Sequence, residues 1–160
     1  MAKCDMFLKL DGAKSGTVKG EASDAVHSEE IEVADWSWGM SSGHAIGGAG
    51  PTAKTALSEL RIVKRVDAAS TALMSVMRNN EQVKKAVLTV RKAGDQPVEY
   101  LIVKIERGRI TTYEVASESA IGPELTERIA IAFESIEIEY RAQDTKGGRK
   151  GGSMFSTDVR

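Results

Sequence analysis

Alternation of apolar and polar residues with a period of two is the dominant pattern along this chain. Met6, Leu8 and Leu10 share one parity and predict a first strand. Residues 12–30 are rich in Gly, Ser, Asp, Lys and Glu, and predict a long polar loop or a weak hairpin. Further strands are predicted over 30–40, 57–64, 83–92, 97–106, 109–116 and 128–141, with turns at 92–97 and 106–109.

One segment departs from this period. After Asp67, apolar residues such as Leu73 and Val76 fall at helical spacing. An Asp side chain accepts the free amides of a first helical turn, so Asp67 is the predicted N-cap. Asn79 and Asn80 predict the end of the helix, because Asn tolerates the left-handed conformation that often ends one.

Two of the predicted strands change parity partway along. Ile31 and Val33 occupy odd positions, whereas Trp36 and Trp38 occupy even ones, and the segment 128–141 repeats the switch. A β-bulge produces such a switch, because its extra residue moves all later side chains to the other face. Burial of both faces gives the same pattern, and the two interpretations stay open. The predicted bulges lie at Ala34–Asp35 and Glu134–Ser135.

Short strands around one helix predict a mainly β fold: an antiparallel β-barrel of two curled sheets, with one flanking α-helix and extended loops. We predict one barrel domain over 1–142. Residues 143–160 form a predicted flexible Gly- and Lys-rich tail, in which MFSTDV is a possible edge strand.

Composition and charge exclude several functional classes. The formal net charge is −1, and Lys and Arg are scattered, so we expect no nucleic-acid partner. One cysteine permits no disulfide within the chain. No apolar run approaches the ~18 residues of a membrane span, and charges interrupt the N-terminal segment. We therefore expect no membrane insertion and no cleavable leader.

The residues that could carry out chemistry form no recognised catalytic pattern. His27 lies beside Glu29 and Glu30, which allows a zinc-like site, but a solvated histidine in an acidic loop is the favoured interpretation. The segment GGAGPTAKT at 47–55 resembles a phosphate loop only superficially, because Lys54 does not follow Gly and a strand comes next. We predict no catalytic residue, no cofactor and no metal.

Several segments resemble one known family when taken together. HSEEIEVADWSWGM at 27–40 is similar to the most specific motif of the Hcp (hemolysin-coregulated protein) family of type VI secretion. The other segments that resemble this family, in order, are DMFLKLDG (5–12), KGEASD (19–24), LRIVKRVDAAS (60–70), VRKAG (90–94), VEYLIVKIE (98–106) and LTERIAIAFESIEIEY (125–140). The ending MFSTDVR departs from the family, since it is shorter and less apolar.

The resemblance implies a non-enzymatic protein without a cofactor. Its copies form homohexameric rings that stack into the inner tube of the secretion machine, with spike, sheath and effector proteins as partners. The tube assembles in the cytoplasm and is secreted to the extracellular space or a target cell, with effectors chaperoned in the ring lumen. The main alternative is a tail-tube subunit of a contractile phage-like particle. A small-ligand-binding barrel and a hydrolase are further rivals.

The motif around Ser37 carries the first site prediction. Trp36 and Trp38 share a parity, so we expect both to be largely buried, in the core or against a neighbouring subunit. Ser37 then points to the opposite face, which the resemblance suggests is the lumen that faces cargo. A solvent-facing serine on the outer wall is the alternative.

The loop 41–55 carries the second site prediction. It is longer than the ~12 residues that most unstructured connections reach, so it is either functional or disordered. The family uses this loop for contacts between subunits or stacked rings, which favours the first reading. The predicted ring or stacking contacts are His44, Ile46, Gly47, Gly48 and Pro51.

Overall fold

The structure is a computed structural model, and it describes residues 5–43, 55–92, 98–117, 125–143 and 149–159. Over these residues the fold is mainly β and antiparallel with one helix, as predicted. The strands are β1 (Asp5–Gly12), β2 (Gly16–Val18), β3 (Ile31–Glu32), β4 (Asp35–Ser37), β5 (Met40–Ser42), β6 (Thr55–Leu57), β7 (Leu60–Arg65), β8 (Val83–Lys92), β9 (Val98–Ser117), β10 (Leu125–Ala132), β11 (Ser135–Gln143) and β12 (Arg149–Asp158). The helix α1 (Ser70–Arg78) lies between β7 and β8.

Strand β9 belongs to two sheets. Its first half pairs with β8 and β11, and its second half pairs with β10. The first sheet therefore has the order β2–β1–β8–β9–β11–β12, with β3 also paired along β1. The second sheet has the order β9–β10–β7–β4, and β5 pairs with β6 in a separate ribbon.

The two sheets do not close into the predicted barrel within the described residues. Closure would require β4, at the end of the second sheet, to pair with the β1 side of the first, and no such pairing is present among the described strands. Instead the chain itself crosses from one sheet to the other. The amide of Val33 donates to the Met6 carbonyl of β1 at 3.0 Å, and the next amide, that of Ala34, donates to Val63 of β7 at 2.8 Å.

This crossing also explains the parity switches. Strand β3 pairs with β1 whereas β4 pairs with β7, so the predicted bulge at Ala34–Asp35 is a corner between two strands. The switch at Glu134–Ser135 is a corner as well, because β10 belongs to the second sheet and β11 to the first. Val33 and Phe133 are buried at these corners. A change of sheet shifts the parity just as a bulge does, so the pattern alone could not separate the two.

The predicted turn at 106–109 is wrong, since β9 runs through it as one strand of 20 residues. Arg107 has a φ of 52°, which is a local irregularity in an otherwise extended strand. Gly108 lies so close to the next strand that an added Cβ would be 2.7 Å from the Ala132 carbonyl oxygen. Gly and a positive φ therefore mark the point at which β9 passes from one sheet to the other.

One cluster of buried apolar side chains combines both sheets with the helix. Leu73 and Val76 of α1 are buried in it, as the spacing predicted. The helix begins later than predicted, at Ser70 with Ala69 as its N-cap. The Asp67 carboxylate accepts the Ala69 amide at 2.9 Å in the turn that precedes the helix. The predicted stop is confirmed by Asn80, whose φ is 52°.

Strand β12 is longer than the MFSTDV segment, since it begins at Arg149 inside the stretch expected to be flexible. It pairs with β11 at the end of the first sheet. The division into a domain over 1–142 and a tail stays a prediction.

Candidate functional site

The two faces of the second sheet differ in character. Along β7, Leu60, Ile62 and Lys64 are buried. The residues of the other parity, Arg61, Val63 and Arg65, are exposed or half-buried. Because successive side chains of a strand point to opposite faces, the sheet has one core face and one outer face.

The outer face is where Ser37 lies. In the register of β4 with β7, Trp36 is opposite Ile62 on the core face, and Ser37 is opposite Arg61 on the outer face. Ser37 is exposed. The Ser37 side chain therefore points away from the core, against which both indoles pack. The assignment of Ser37 to a ring lumen stays a prediction.

A shallow groove of about 400 Å³ follows this face across all four strands of the second sheet. We call it the Ser37 groove. Small side chains (Ser37, Thr112 and Ala130) leave room in it, and charged residues of both signs border them. The charged lining residues are Asp35, Glu59, Arg61, Glu114 and Arg128.

The indoles of Trp36 and Trp38 lie at the edge of the hydrophobic core and pack against it. Both are partly buried, and part of each ring stays exposed on the single chain. They therefore fix the position of β4 while leaving apolar surface at the rim of the second sheet.

The other predicted contact residues lie outside the described residues. These are His44, Ile46, Gly47, Gly48 and Pro51. Their role in ring or stacking contacts stays a prediction, and most of the GGAGPTAKT segment falls in the same stretch.

His27 is not the solvated histidine that was predicted. Its ring is buried and stacks on Phe7 with 4.7 Å between ring centroids. Nδ1 lies 2.9 Å from Glu30 and Nε2 lies 2.6 Å from Glu99, so both ring nitrogens donate to carboxylates in the charged imidazolium form. Burial acts to lower the pKa of His27, but the two hydrogen bonds outweigh it and raise that pKa. Among the described residues no group of acidic, His or Cys side chains could hold a metal ion.

Arg91 extends this cluster on β8. Its guanidinium contacts Asp5 at 2.8 Å and Asp24 at 2.7 Å, and it lies 5.0 Å from the Phe7 ring centroid. The hydrogen bond from Arg91 holds the pKa of Asp24 well below its usual range. We call the set of Asp5, Asp24, His27, Glu30, Arg91 and Glu99 the latch network, because it fastens the irregular segment 19–30 onto the first sheet.

A second network, which we call the core network, surrounds two charged side chains that are buried between the second sheet and the helix. Lys64 and Glu127 have no exposed surface and form an ion pair directly across β7 and β10. Ser70 donates to the Glu127 carboxylate at 2.6 Å, and the Tyr113 hydroxyl donates to its other oxygen. Lys64 also contacts Asp67 at 2.9 Å.

The ionisation of the core network follows from these contacts. Burial acts to raise the pKa of Glu127, but hydrogen bonds led by that from Lys64 outweigh it and lower the pKa. Burial, and then the hydrogen bond to Glu127, raise the pKa of Tyr113. The carboxylate is thus ionised and satisfied by its neighbours, which favours a structural role.

Sequence reasoning missed both networks. For the core network a signal existed, because Lys64 shares the parity of Leu60 and Ile62, and Glu127 that of Ile129. A charged residue at a core parity predicts a buried partner of opposite charge. The latch network gave no such signal, since Arg91 and Asp24 lie 67 positions apart and Asp24 belongs to no strand.

None of the helical structure in the described part of the chain has the length and apolar character that crossing a membrane requires.

Comparisons with known proteins agree with the resemblance found in the sequence. A family model described as "Type VI secretion system effector, Hcp" matches residues 7–140. Protein hcp1 of Pseudomonas aeruginosa is 34% identical over 153 residues, which cover 94% of this chain and 91% of that protein.

Solved structures give the same result. A type VI secretion system effector from Yersinia pestis is 28% identical with a TM-score of 0.77, over 97% of this chain and 100% of that one. Hcp1 from Salmonella typhimurium is also 28% identical, with a TM-score of 0.76 over 99% of this chain and 95% of that one. The chain therefore belongs to the Hcp family of type VI secretion system proteins.

Proposed function

We propose that this protein is a structural subunit of the type VI inner tube, in which six copies close into a ring and the rings stack. The tube assembles in the cytoplasm with its sheath and spike proteins, and is then expelled. The subunit carries out no catalysis, and it binds effector proteins inside the ring next to Ser37.

The observation that carries this proposal is the β12 edge of the first sheet, which no other described strand covers. We call β11 with β12 the edge ribbon. Met154 is 60% exposed and Phe155 is 42% exposed, although as neighbours on a strand they point to opposite faces. Tyr140 on β11 is 48% exposed. A strand edge with apolar side chains on both faces favours association with another chain, so it fits a subunit contact.

A ring requires a heterologous contact, in which the edge ribbon of one copy binds a different surface of the next. The contact then repeats around an axis until it closes. The Ser37 groove suits the inner wall, since small residues at its centre leave space for a guest and the charged residues around it stay hydrated.

Ring formation is tested by mass in solution. Six copies of a 17.2 kDa chain weigh about 103 kDa (6 × 17.2), and we expect this species in sedimentation or light scattering at micromolar concentration. The double variant Met154→Glu and Phe155→Glu should be monomeric with an unchanged far-UV spectrum. Val26→Glu is the matched control, because Val26 is 73% exposed and lies outside the edge ribbon. A parent protein that stays monomeric throughout this range would contradict the proposal.

The lumen assignment is tested separately with Ser37→Tyr. We expect this variant to form rings as the parent does but to lose co-purification of an effector encoded beside it, because the ring of Tyr fills the groove. Unchanged effector binding would show that Ser37 faces away from the cargo.

A further inference from the structure

We propose that Arg61 is the specificity residue of the Ser37 groove, and that it selects protein segments in which a single carboxylate is flanked by basic side chains. This inference rests on the proposed function and names the chemistry of the guest that the groove binds.

Arg61 lies in a row of small residues that crosses the second sheet. Ser37 of β4 is opposite Arg61 of β7. On the other side, Arg61 is opposite Ala130 of β10, which is in turn opposite Thr112 of β9. Residues directly opposite each other on an antiparallel pair lie on the same face, with Cβ atoms about 5 Å apart. Arg61 is therefore the charged member of this row, and the side chains beside it are too short to cover it.

The guanidinium of Arg61 is unpaired within the described part of the chain. Arg61 is exposed, and it forms no hydrogen bond or ion pair with a described residue. In contrast, Arg65 and Arg128 on the same sheet each interact with another residue. The serine hydroxyl and the alanine methyl beside Arg61 carry no negative charge. Arg61 therefore keeps its donors for a guest.

Carboxylates line the groove around this row without pairing with Arg61. Asp35 accepts a backbone amide at 2.9 Å, and Glu59 accepts a threonine hydroxyl. Glu114 lies opposite Arg128 in the next row. We call Asp35, Glu59 and Glu114 the acidic border. The groove thus presents a central cation with an acidic border around it.

This arrangement selects one class of guest. A guanidinium offers a planar fork of N–H donors, which fits a carboxylate through two parallel hydrogen bonds. The acidic border attracts cations and repels further anions, which discriminates against other guests. An isolated Asp or Glu between Lys or Arg side chains satisfies both parts of the groove. Nucleic acid does not, because it carries a negative charge at every phosphate.

The size of the groove fits a short segment. Its volume of about 400 Å³ is near the lower end of binding sites for small ligands, so it holds a few side chains. An exposed ion pair is weak by itself. The proposed ring repeats the groove in every copy, so an effector with several such segments gains affinity from multivalent binding.

The test uses three short peptides of Gly and Ser, blocked at both ends, in which two Lys residues flank a central Glu, Gln or Lys. Fluorescence anisotropy at low salt measures their binding to the parent protein. We expect the Glu peptide to bind about threefold more tightly than the Gln peptide, as for an exposed ion pair. The Lys peptide should bind most weakly, and the differences should shrink in high salt, since ions screen exposed charges.

Charge reversal at Arg61 gives the decisive result. Arg61→Glu should reverse the order, so that the Lys peptide binds most tightly. Arg61→Lys should keep the order with a smaller difference, because an ammonium lacks the fork. Arg61→Gln, which removes the charge with little change in polarity, should bind the Glu and Gln peptides equally and serves as the variant to use if the reversal alters the far-UV spectrum.

Arg78→Glu is the matched control. Arg78 is exposed in the last turn of α1, and the helix packs on the core face of the second sheet, away from the groove. This variant makes the same charge change as Arg61→Glu and should keep the order of the parent.

The outcomes separate this inference from the proposed function. If the parent forms rings but binds the Glu and Gln peptides equally, the ring stands and the role of Arg61 is wrong. Arg61→Glu with the order of the parent would overturn that role as well. If labelled single-stranded DNA binds the parent more tightly than the Glu peptide and Arg61→Glu abolishes this binding, the groove accepts polyanions and the selection of isolated carboxylates is wrong. If the parent forms no ring but shows the expected order, the proposed tube fails while the specificity of the groove stands.

Discussion

The core network and the latch network use the same ionic chemistry in two different settings. In the core network Lys64 and Glu127 have no exposed surface, and they belong to neighbouring strands paired in register. In the latch network Arg91 is buried, but its partners Asp5 and Asp24 keep 31% and 22% of their side chains exposed. The two networks differ in how well water can reach the carboxylates. If Lys64 were removed, Glu127 would remain without contact with water, whereas removal of Arg91 would leave Asp5 and Asp24 partly hydrated.

This difference determines what each network costs to break. A buried charge that loses its partner cannot be hydrated, and its desolvation penalty then falls fully on the folded state. A partly exposed carboxylate that loses its partner turns towards water and recovers much of its solvation. An ion pair therefore contributes very differently to stability in the two regions.

The largest expected effect comes from the core network. Lys64→Met should lower the free energy of unfolding by about 3–5 kcal/mol, because the buried Glu127 carboxylate loses the cation that it pairs with in the core. Chemical denaturation monitored by circular dichroism measures this. Lys104→Met is the matched control, since Lys104 and its partner Glu137 are 33% and 38% exposed, and a loss below about 1 kcal/mol is expected there.

A double variant sharpens the interpretation. Replacing both charges, as Lys64→Met with Glu127→Leu, should recover most of the stability lost by Lys64→Met, because the fully buried carboxylate is then gone and Asp67, which also loses Lys64, keeps 12% of its side chain exposed. A double variant no more stable than Lys64→Met would show that packing of the lysine stem, rather than charge, dominates at this site.

A smaller effect is expected in the latch network. Arg91→Met keeps an apolar stem near Phe7 but frees Asp5 and Asp24, so we expect a loss of about 1–2 kcal/mol. Hydrogen exchange should increase selectively in segment 19–30, which Arg91 fastens. A loss as large as that of Lys64→Met would remove the contrast between the two networks.

The smallest effect is on pH dependence. The pKa of His27 is raised in the folded protein, so its contribution to stability is fully present below the unfolded pKa of about 6.5 and is lost as pH rises through the folded value. As the pH rises from 6 to above the pKa of His27 in the folded protein, we expect the free energy of unfolding of the parent to fall by no more than about 1 kcal/mol. In thermal unfolding, the melting temperature of His27→Gln should depend less on pH over this range than that of the parent. An equal pH dependence in both proteins would show that the ion pairs of His27 do not stabilise the latch network.

Much of the fold followed from local pattern. The alternation identified most of the strands, and the helical spacing of Leu73 and Val76 with Asn80 at the end identified the helix. Trp36 and Ser37 were assigned to opposite faces by parity alone, and the register with Ile62 and Arg61 agrees. These features depend on neighbours along the chain, which the sequence contains directly.

The errors in the prediction of strands and turns share one cause. The turn at 106–109 is a continuous strand, and the predicted bulges at 34–35 and 134–135 are corners. Each depends on which sheet a strand joins, and that is decided by partners far away in sequence. A parity switch or a glycine indicates that the regular geometry of a strand is interrupted at that position. It does not show whether the chain turns, forms a bulge or passes to another sheet.

The sequence by itself determined the class of fold, the helix after β7, the opposite directions of Trp36 and Ser37, and the family to which the chain belongs. Only the tertiary structure decided which charges are buried together, where the two sheets stay open and which edge is left uncovered. The physical reason is distance along the chain: side-chain direction is a local consequence of backbone geometry, whereas the partners Arg91 and Asp24, 67 positions apart, meet only once the sheets have assembled. The Ser37 groove and the edge ribbon are properties of that assembly, since each collects residues from more than one strand into one surface.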